Sequence, residues 1–259
     1  MKISIVTAYH NRKQLFYNTL KSINKSSVKD IEVVVVDDGS DEEHRLEDLT
    51  QEFPYLKIIR LEKKDKWYVN PCIPYNIGFK YTTGDIIIIQ NPECYHTSDI
   101  LKYTLDNINE ETYIAFGCYS LDKEKTNLLT QNNTTDNPLD LVGPLIPSRI
   151  HVEGALGWYN HPTIRPVAYH FCSAITKSNL NKLNGFDERY AMGIGFDDNE
   201  ILCRVRRIPL KVTITESPIV LHQNHYDEHY LAYTRPELAA KNRDLYNNVT
   251  LNEKLVKAN

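Results

Sequence analysis

The sequence predicts an α/β fold built on a doubly wound, mostly parallel sheet flanked by helices. Three observations carry it: uniformly apolar, β-branched runs at Ile3–Thr7, Ile31–Val36 and Ile86–Ile89; helix-spaced segments between them; and a length of 259 residues, enough to bury one large core. Strands that alternate with helices favour parallel pairing, because a parallel crossover needs the intervening helix.

Taken in order, Ile3–Thr7 reads as the first strand, and Arg12 to Ser26 as a helix with Leu15, Phe16, Leu20 and Ile23 on one face. Ile31–Val36 is too evenly branched for a one-sided strand, so both of its faces should be covered. It stops at Asp37-Asp38-Gly39-Ser40. Ser40 with Glu43 has the form of a capping box ahead of a helix carrying Leu46, Leu49 and Phe53. Lys57–Leu61 is a third strand, Ile73–Tyr81 a second helix, and Ile86–Ile89 a second fully covered strand after a Thr-Thr-Gly turn.

The C-terminal half is less regular. Asn132–Asn137 reads as a polar loop and Gly143–Pro166, rich in Pro, Gly, His and aromatics, as an irregular segment where ligand chemistry often resides. Asp198–Arg207 has a helical pattern, and Val212–Thr215 and Ile219–Leu221 look like two strands. The expected organisation is one domain over residues 1–259, with a regular strand–helix half (1–96), a less regular half (97–225) and a helical tail (226–259).

Thirty basic against 34 acidic residues give a formal charge of -4. With no Lys/Arg block, this argues against nucleic acid as a partner. Five scattered cysteines without a C-x-x-C pair imply neither a disulfide framework nor a zinc site. No apolar run reaches membrane-spanning length and no leader pattern precedes Ile3, so a cytoplasmic location is expected and the Asn-x-Ser/Thr triplets at Asn24, Asn133 and Asn248 carry no weight. Self-association is left open.

Ligands of open parallel sheets bind at the carboxyl ends of strands. Three polar segments fall there: Thr7-Ala8-Tyr9-His10-Asn11-Arg12, Asp37-Asp38-Gly39-Ser40 and Gln90-Asn91-Pro92-Glu93. Asp38 can accept from ribose hydroxyls or a base N–H, while Gly39 allows a tight turn. Capping alone explains Ser40 well but explains two successive aspartates poorly. A diphosphate carries concentrated negative charge that a divalent cation on oxygen ligands would offset. Glu93 offers one carboxylate for it, although an Asn-Pro turn leaving a strand explains the segment about as well.

The run Ile3 to Arg12, then Val33–Ser40, then Gly84-Asp85 into Ile86–Glu93, resembles the family 2 type glycosyltransferases in order and spacing, over about Met1 to His225. The resemblance implies the GT-A fold: a Rossmann-like, mostly parallel central sheet flanked by helices, with an irregular C-terminal acceptor-binding portion. It implies donor contacts from Thr7, Ala8, Asn11, Arg12, Asp37, Asp38, Asn76, Gln90 and Asn91. Gly185-Phe186-Asp187-Glu188-Arg189-Tyr190 and Gly193-Ile194-Gly195-Phe196-Asp197-Asp198-Asn199-Glu200 look like the galactosyltransferase-type motif, which places Asp198 as general base and Asp197 beside it on sugar hydroxyls. Both also suit an N-terminal helix cap.

The same likeness marks His222 as a late metal-shell histidine alongside Glu93, with His225 a weaker candidate; a lone histidine is more often structural. Trp158 and Tyr159 suit stacking on an acceptor sugar or an interior aromatic cluster, and Ser173 lies on the strand beneath the acceptor. Gln90-Asn91-Pro92-Glu93 stands where the family has Asp-x-Asp. Either Glu93 and His222 hold Mn²⁺ or Mg²⁺ together with the diphosphate, or a cation is dispensable.

These residues together predict an inverting glycosyltransferase that moves a sugar from a nucleotide-sugar donor, expected to be a UDP-sugar, to a hydroxyl of a glycan or glycoconjugate. A binding protein that keeps nucleotide-sugar affinity without transfer is one rival; the Asp197-Asp198 pair argues against it. A nucleotidyltransferase is another, and the segment after the first strand lacks the glycines of a phosphate loop.

Overall fold

The computed structural model describes residues 1–132, 137–146, 154–226 and 235–259. Asn133 and parts of the Asn132–Asn137 and Gly143–Pro166 segments lie outside the described residues. The elements run β1 (Ile3–Tyr9), α1 (Lys13–Asn24), β2 (Ile31–Asp38), β3 (Leu56–Leu61), α2 (Cys72–Lys80), β4 (Ile86–Gln90), β5 (Cys94–His96), α3 (Ile100–Asn107), β6 (Thr112–Ser120), α4 (Lys123–Gln131), α5 (Pro138–Val142), β7 (Gly157–Asn160), β8 (Cys172–Thr176), α6 (Lys177–Leu183), α7 (Asp197–Val205), β9 (Lys211–His222) and α8 (Pro236–Leu245).

Side chains of a strand alternate between faces, so a strand covered on both sides must be apolar at every position. β2 and β4 obey this. Val33, Val35, Ile86 and Ile88 enter one core layer with Phe16 and Leu20 of α1, while Val34, Ile87 and Ile89 enter the opposite layer with Ile73 and Tyr75 of α2. Each such side chain contributes about 1.5–3 kcal/mol on burial.

The sheet order is β3-β2-β1-β4-β8-β6-β9-β5, with β7 paired to β6. The first four strands are parallel. β8 then joins β4 and β6 antiparallel, and β6 runs parallel to β9. The mixed α/β sheet flanked by helices is the expected fold. Crossing of β5 against β9 pairs Cys94 with His222 and so brings the end of the fourth strand's loop to the end of the ninth.

Several local expectations are corrected. The Ser40–Glu43 capping box does not start an α-helix; two short 3₁₀ turns, Glu42–His44 and Glu47–Thr50, stand there. The Ser40 hydroxyl is taken by the Asn11 backbone N–H at 3.1 Å, and Asp37 Oδ1 accepts from Ser40 N at 2.9 Å. The two expected late strands are one, β9, irregular opposite Ala115–Gly117. Residues 157–160 are a strand rather than loop, because β6 supplies a partner edge.

All five cysteines are free. Among the described residues, no helix is long and apolar enough to cross a membrane.

Candidate functional site

A cavity of about 430 Å³ opens at the carboxyl ends of β1, β2 and β4. β2 ends in two aspartates that strand alternation sends to opposite sides. Asp37 is fully buried, where Arg60 Nη1 donates to its Oδ2 at 2.7 Å. Asp38 lines the cavity: Lys66 Nζ lies 2.5 Å from Oδ2 and Tyr68 donates its hydroxyl to Oδ1 at 2.6 Å. Gly39 (φ 74°) turns the chain directly after it.

Ala8 and Arg12 line the same cavity. Thr7 is buried in β1, and Asn11 brackets the turn, with Nδ2 donating to Asp41 Oδ2 at 2.7 Å. Asn91 is on the wall, where Tyr75 donates its hydroxyl to Asn91 Oδ1 at 3.1 Å. Gln90 and Asn76 are elsewhere. Gln90 donates to Cys94 O at 2.9 Å in the interior, and Asn76 donates to Phe186 O at 2.8 Å while Phe186 N donates back to its Oδ1 at 2.8 Å.

Glu93 is the centre of a buried cluster. Its Oε1 lies 3.0 Å from His222 Nε2 and 3.1 Å from His225 Nε2, and Arg12 Nη1 holds Oε2 at 3.0 Å. Burial pushes the carboxyl pKa up, but the Arg12 charge and both imidazoles override it and hold Glu93 well below the ordinary carboxylate range. Burial also presses His225 below the ordinary histidine value, towards the neutral form that can ligate a metal. One carboxylate and two imidazoles are then within 4.8 Å of one another.

A second cluster faces them across the cavity. Asp197 and Asp198 open α7, where the helix dipole favours carboxylates. Phe196 before them is left-handed (φ 64°), an uncommon conformation for a residue with a side chain. Asn70 Nδ2 donates to Asp197 Oδ1 at 3.0 Å; burial and the adjacent Asp198 raise the Asp197 pKa. His170 Nδ1 lies 2.5 Å from Asp198 Oδ1. Burial works against a charged His170, yet Asp198 and Asp197 lift its pKa above the ordinary value.

The loop ahead of α7 is held from behind by α8. Asn242 Nδ2 donates to Tyr190 O at 3.1 Å and Gly195 O at 2.8 Å, and Ile194 N donates to Leu238 O at 3.1 Å. A β-carbon on Gly193 would sit 2.2 Å from Asn242 Oδ1, so the approach requires glycine. Beneath, Arg204 forms a fully buried pair with Glu200 and donates to Leu183 O and Gly185 O at 2.8 and 2.9 Å.

Tyr159 lines the cavity, packed against Phe171 with ring centroids 4.2 Å apart and the rings tilted by 31°, and its hydroxyl meets that of Tyr226. Trp158, the next residue on β7, points the other way into a cluster with Tyr119 and Leu221. Ser173 is fully buried in β8. The sequence did not flag His170, Lys66, Asn70 or Tyr75. His170 is a lone histidine ahead of a strand with no local pattern around it; only the Lys66-to-Tyr68 polar-aromatic loop gave a readable signal.

The family model for Glycosyl transferase family 2 matches residues 4–183. The chain belongs to that family. The match ends ahead of Gly185, so the galactosyltransferase-like reading of Gly185–Glu200 is not carried by it. An uncharacterized glycosyltransferase, YfnE of Bacillus subtilis, is 28% identical over 125 residues, covering 46% of this chain and 30% of its own. The dolichol-phosphate mannosyltransferase of Pyrococcus furiosus is 26% identical over 120 residues, 45% of this chain and 33% of its own. This glycosyltransferase-family chain therefore aligns with about a third of the length of those relatives. In fold it is similar to S. aureus TarS 1-349 in complex with UDP-GlcNAc (TM-score 0.62, 16% identity, 88% of this chain and 60% of that one). It is also similar to the mannosyltransferase PcManGT of Pyrobaculum calidifontis with GDP-Man and Mn²⁺ (TM-score 0.58, 12% identity, 93% and 62%).

Proposed function

We propose that this family 2 glycosyltransferase chain is an inverting enzyme that transfers a sugar from a nucleoside-diphosphate donor to a hydroxyl of a glycan or glycoconjugate. The observation that carries the reading is the convergence of Asp38, Glu93 and Asp198, from three separate elements, on one cavity. Asp38 receives hydroxyl or N–H donors of the nucleoside. Arg12 supplies a permanent positive charge towards the diphosphate. Tyr159 and Phe171 form an aromatic wall that suits a sugar face.

Glu93, His222 and His225 fit a divalent cation: the carboxylate is held ionised, His225 is pressed neutral, and the ligating atoms are close. Two imidazoles favour a transition ion such as Mn²⁺ over Mg²⁺. When bound, such an ion offsets the charge that develops on the departing diphosphate. Asp198 is the general base: it takes the acceptor hydroxyl's proton as the oxygen attacks the anomeric carbon opposite the leaving group. UDP is the expected nucleotide, a preference the UDP-GlcNAc complex of TarS supports and the GDP-Man complex of PcManGT makes worth testing.

Thermal shifts with UDP-GlcNAc and GDP-mannose, each with and without Mn²⁺, test the donor side. A ligand at a hundred times its Kd adds about 2.7 kcal/mol of stability. No shift with either nucleotide sugar argues against this donor reading. On the chemical side, Asp198→Asn is expected to lose about 10²–10⁴ in turnover while keeping donor affinity. Wild-type turnover in that variant removes Asp198 as the base.

A further inference from the structure

We propose that His170 is a positioning residue for Asp198, tethering one carboxylate oxygen so that the other stays open to the acceptor proton. The inference rests on the reading of Asp198 as the base. The His170 backbone N–H donates to Asp198 Oδ1 at 3.0 Å, and His170 Nδ1 makes an ion-pair contact with the same oxygen at 2.5 Å, off the line of a hydrogen bond. Among the described residues no group donates to Oδ2, and the Asp198 side chain is 25% exposed on the cavity wall. One oxygen is fixed and one is free.

The ring itself is fixed by packing. It stands edge-on to Tyr75, with centroids 5.3 Å apart, and to Phe186, with centroids 4.8 Å apart. The Tyr75 hydroxyl donates to Gln90 O at 3.1 Å, so α2 and β4 together set the imidazole's place. Any flat ring would satisfy those contacts. Two contacts converging on a single carboxylate oxygen need this side chain and this backbone.

The electrostatics agree with the geometry. Burial disfavours the imidazolium, but the two aspartates favour it more, and Asn70 occupies Asp197 so that Asp198 is left as the nearer partner. The other titratable groups that feel the Asp198 charge are Tyr75, Tyr113 and Tyr169. In the transfer step the acceptor O–H bond breaks and its proton goes to Asp198 Oδ2. The acceptor oxygen bonds to the anomeric carbon, and the carbon–diphosphate bond breaks with its electron pair leaving on the diphosphate. His170 keeps its proton throughout and holds the carboxylate oriented.

The test uses His170→Phe, which keeps ring packing, and His170→Gln, with release of sugar to water from UDP-GlcNAc or GDP-mannose as the readout. Both variants are expected to lose about tenfold or more in kcat with KM little changed. The acidic limb of their kcat–pH profile is expected to move to higher pH, because a positive neighbour of the base is gone. A wild-type rate and profile in His170→Phe overturns the proposal. Imidazole ¹⁵N titration of the wild-type chain needs no His170 variant to fold: in Asp198→Asn the His170 ring is expected to lose its proton at lower pH, and an unchanged titration overturns the tether. If Asp198→Asn retains turnover, the base reading fails, while the ¹⁵N titration still reports the His170–Asp198 contact by itself.

Discussion

Glu93 Oε1 meets His222 Nε2 at 3.0 Å across the antiparallel pairing of β5 with β9. His225 closes on the same oxygen from the loop beyond. If these three hold a cation, Glu93→Gln lowers Mn²⁺ affinity about a hundredfold, the upper end of what even an outer partner of a metal site costs. Mn²⁺ titration followed by electron paramagnetic resonance measures this. Equal affinity in the variant excludes Glu93 as a ligand.

The adjacent aspartates at the end of β2 should separate by phenotype. Asp38→Ala removes a charged acceptor on the cavity, at about 1.5–3 kcal/mol, so nucleotide binding by calorimetry weakens about ten- to a hundredfold while stability changes little. Asp37→Ala removes the acceptor of Arg60 Nη1 and of the Ser40 N–H, while Arg60 keeps Glu47, and costs about 1–3 kcal/mol of stability, seen as a lower Tm, with affinity retained. Reversed phenotypes would mean that Asp37, not Asp38, meets the ligand.

Gly193→Ala places a β-carbon 2.2 Å from Asn242 Oδ1 and 2.8 Å from Leu238 O. Overpacking of this kind costs about 1–3 kcal/mol. Because the same loop leads into Asp197 and Asp198, kcat should fall as well. Asn242→Ala makes room but removes its bonds to Tyr190 O and Gly195 O, so the double variant regains stability only in part. Chemical denaturation of the three variants measures this; full additivity would disprove the contact.

Glu32 accepts from Ser4 Oγ at 2.6 Å, from Thr83 N at 2.5 Å and from Lys57 Nζ at 3.2 Å. Burial opposes its ionisation, but those donors bring its pKa down from 4.5 to about 2. The folded state therefore binds fewer protons than the unfolded state between these values. The stabilisation is complete above about pH 4.5 and is lost as pH falls through about 2. Glu32→Gln should flatten that acid limb by on the order of 2 kcal/mol in denaturant midpoints taken from pH 7 to 2. An unchanged acid limb would show that Glu32 is not its source.

The residues whose roles follow from local pattern were legible in the sequence. Val33–Val36 and Ile86–Ile89 announce doubly covered strands because every position is apolar, and the polar ends that follow them mark the cavity. Asp197 and Asp198 announce a helix start. The capping box at Ser40 misled because Asn11, from another element, takes the hydroxyl that local reasoning assigns to the next helix.

By itself, then, the sequence determined the parallel half of the sheet, the strand-end position of Asp38 and the presence of an acidic pair beside glycines. Tertiary structure alone decided which of two neighbours faces the cavity, as with Tyr159 against Trp158, and which distant histidines meet an acid. His222 reaches Glu93 through the register of β5 on β9, and His170 reaches Asp198 because β8 inserts beside β4 while α7 packs over it. Strand and helix periods act over a few residues and are written in order; convergence of charged side chains depends on how segments far apart in the chain are brought together, and a one-residue slip of β9 would turn His222 to the other face.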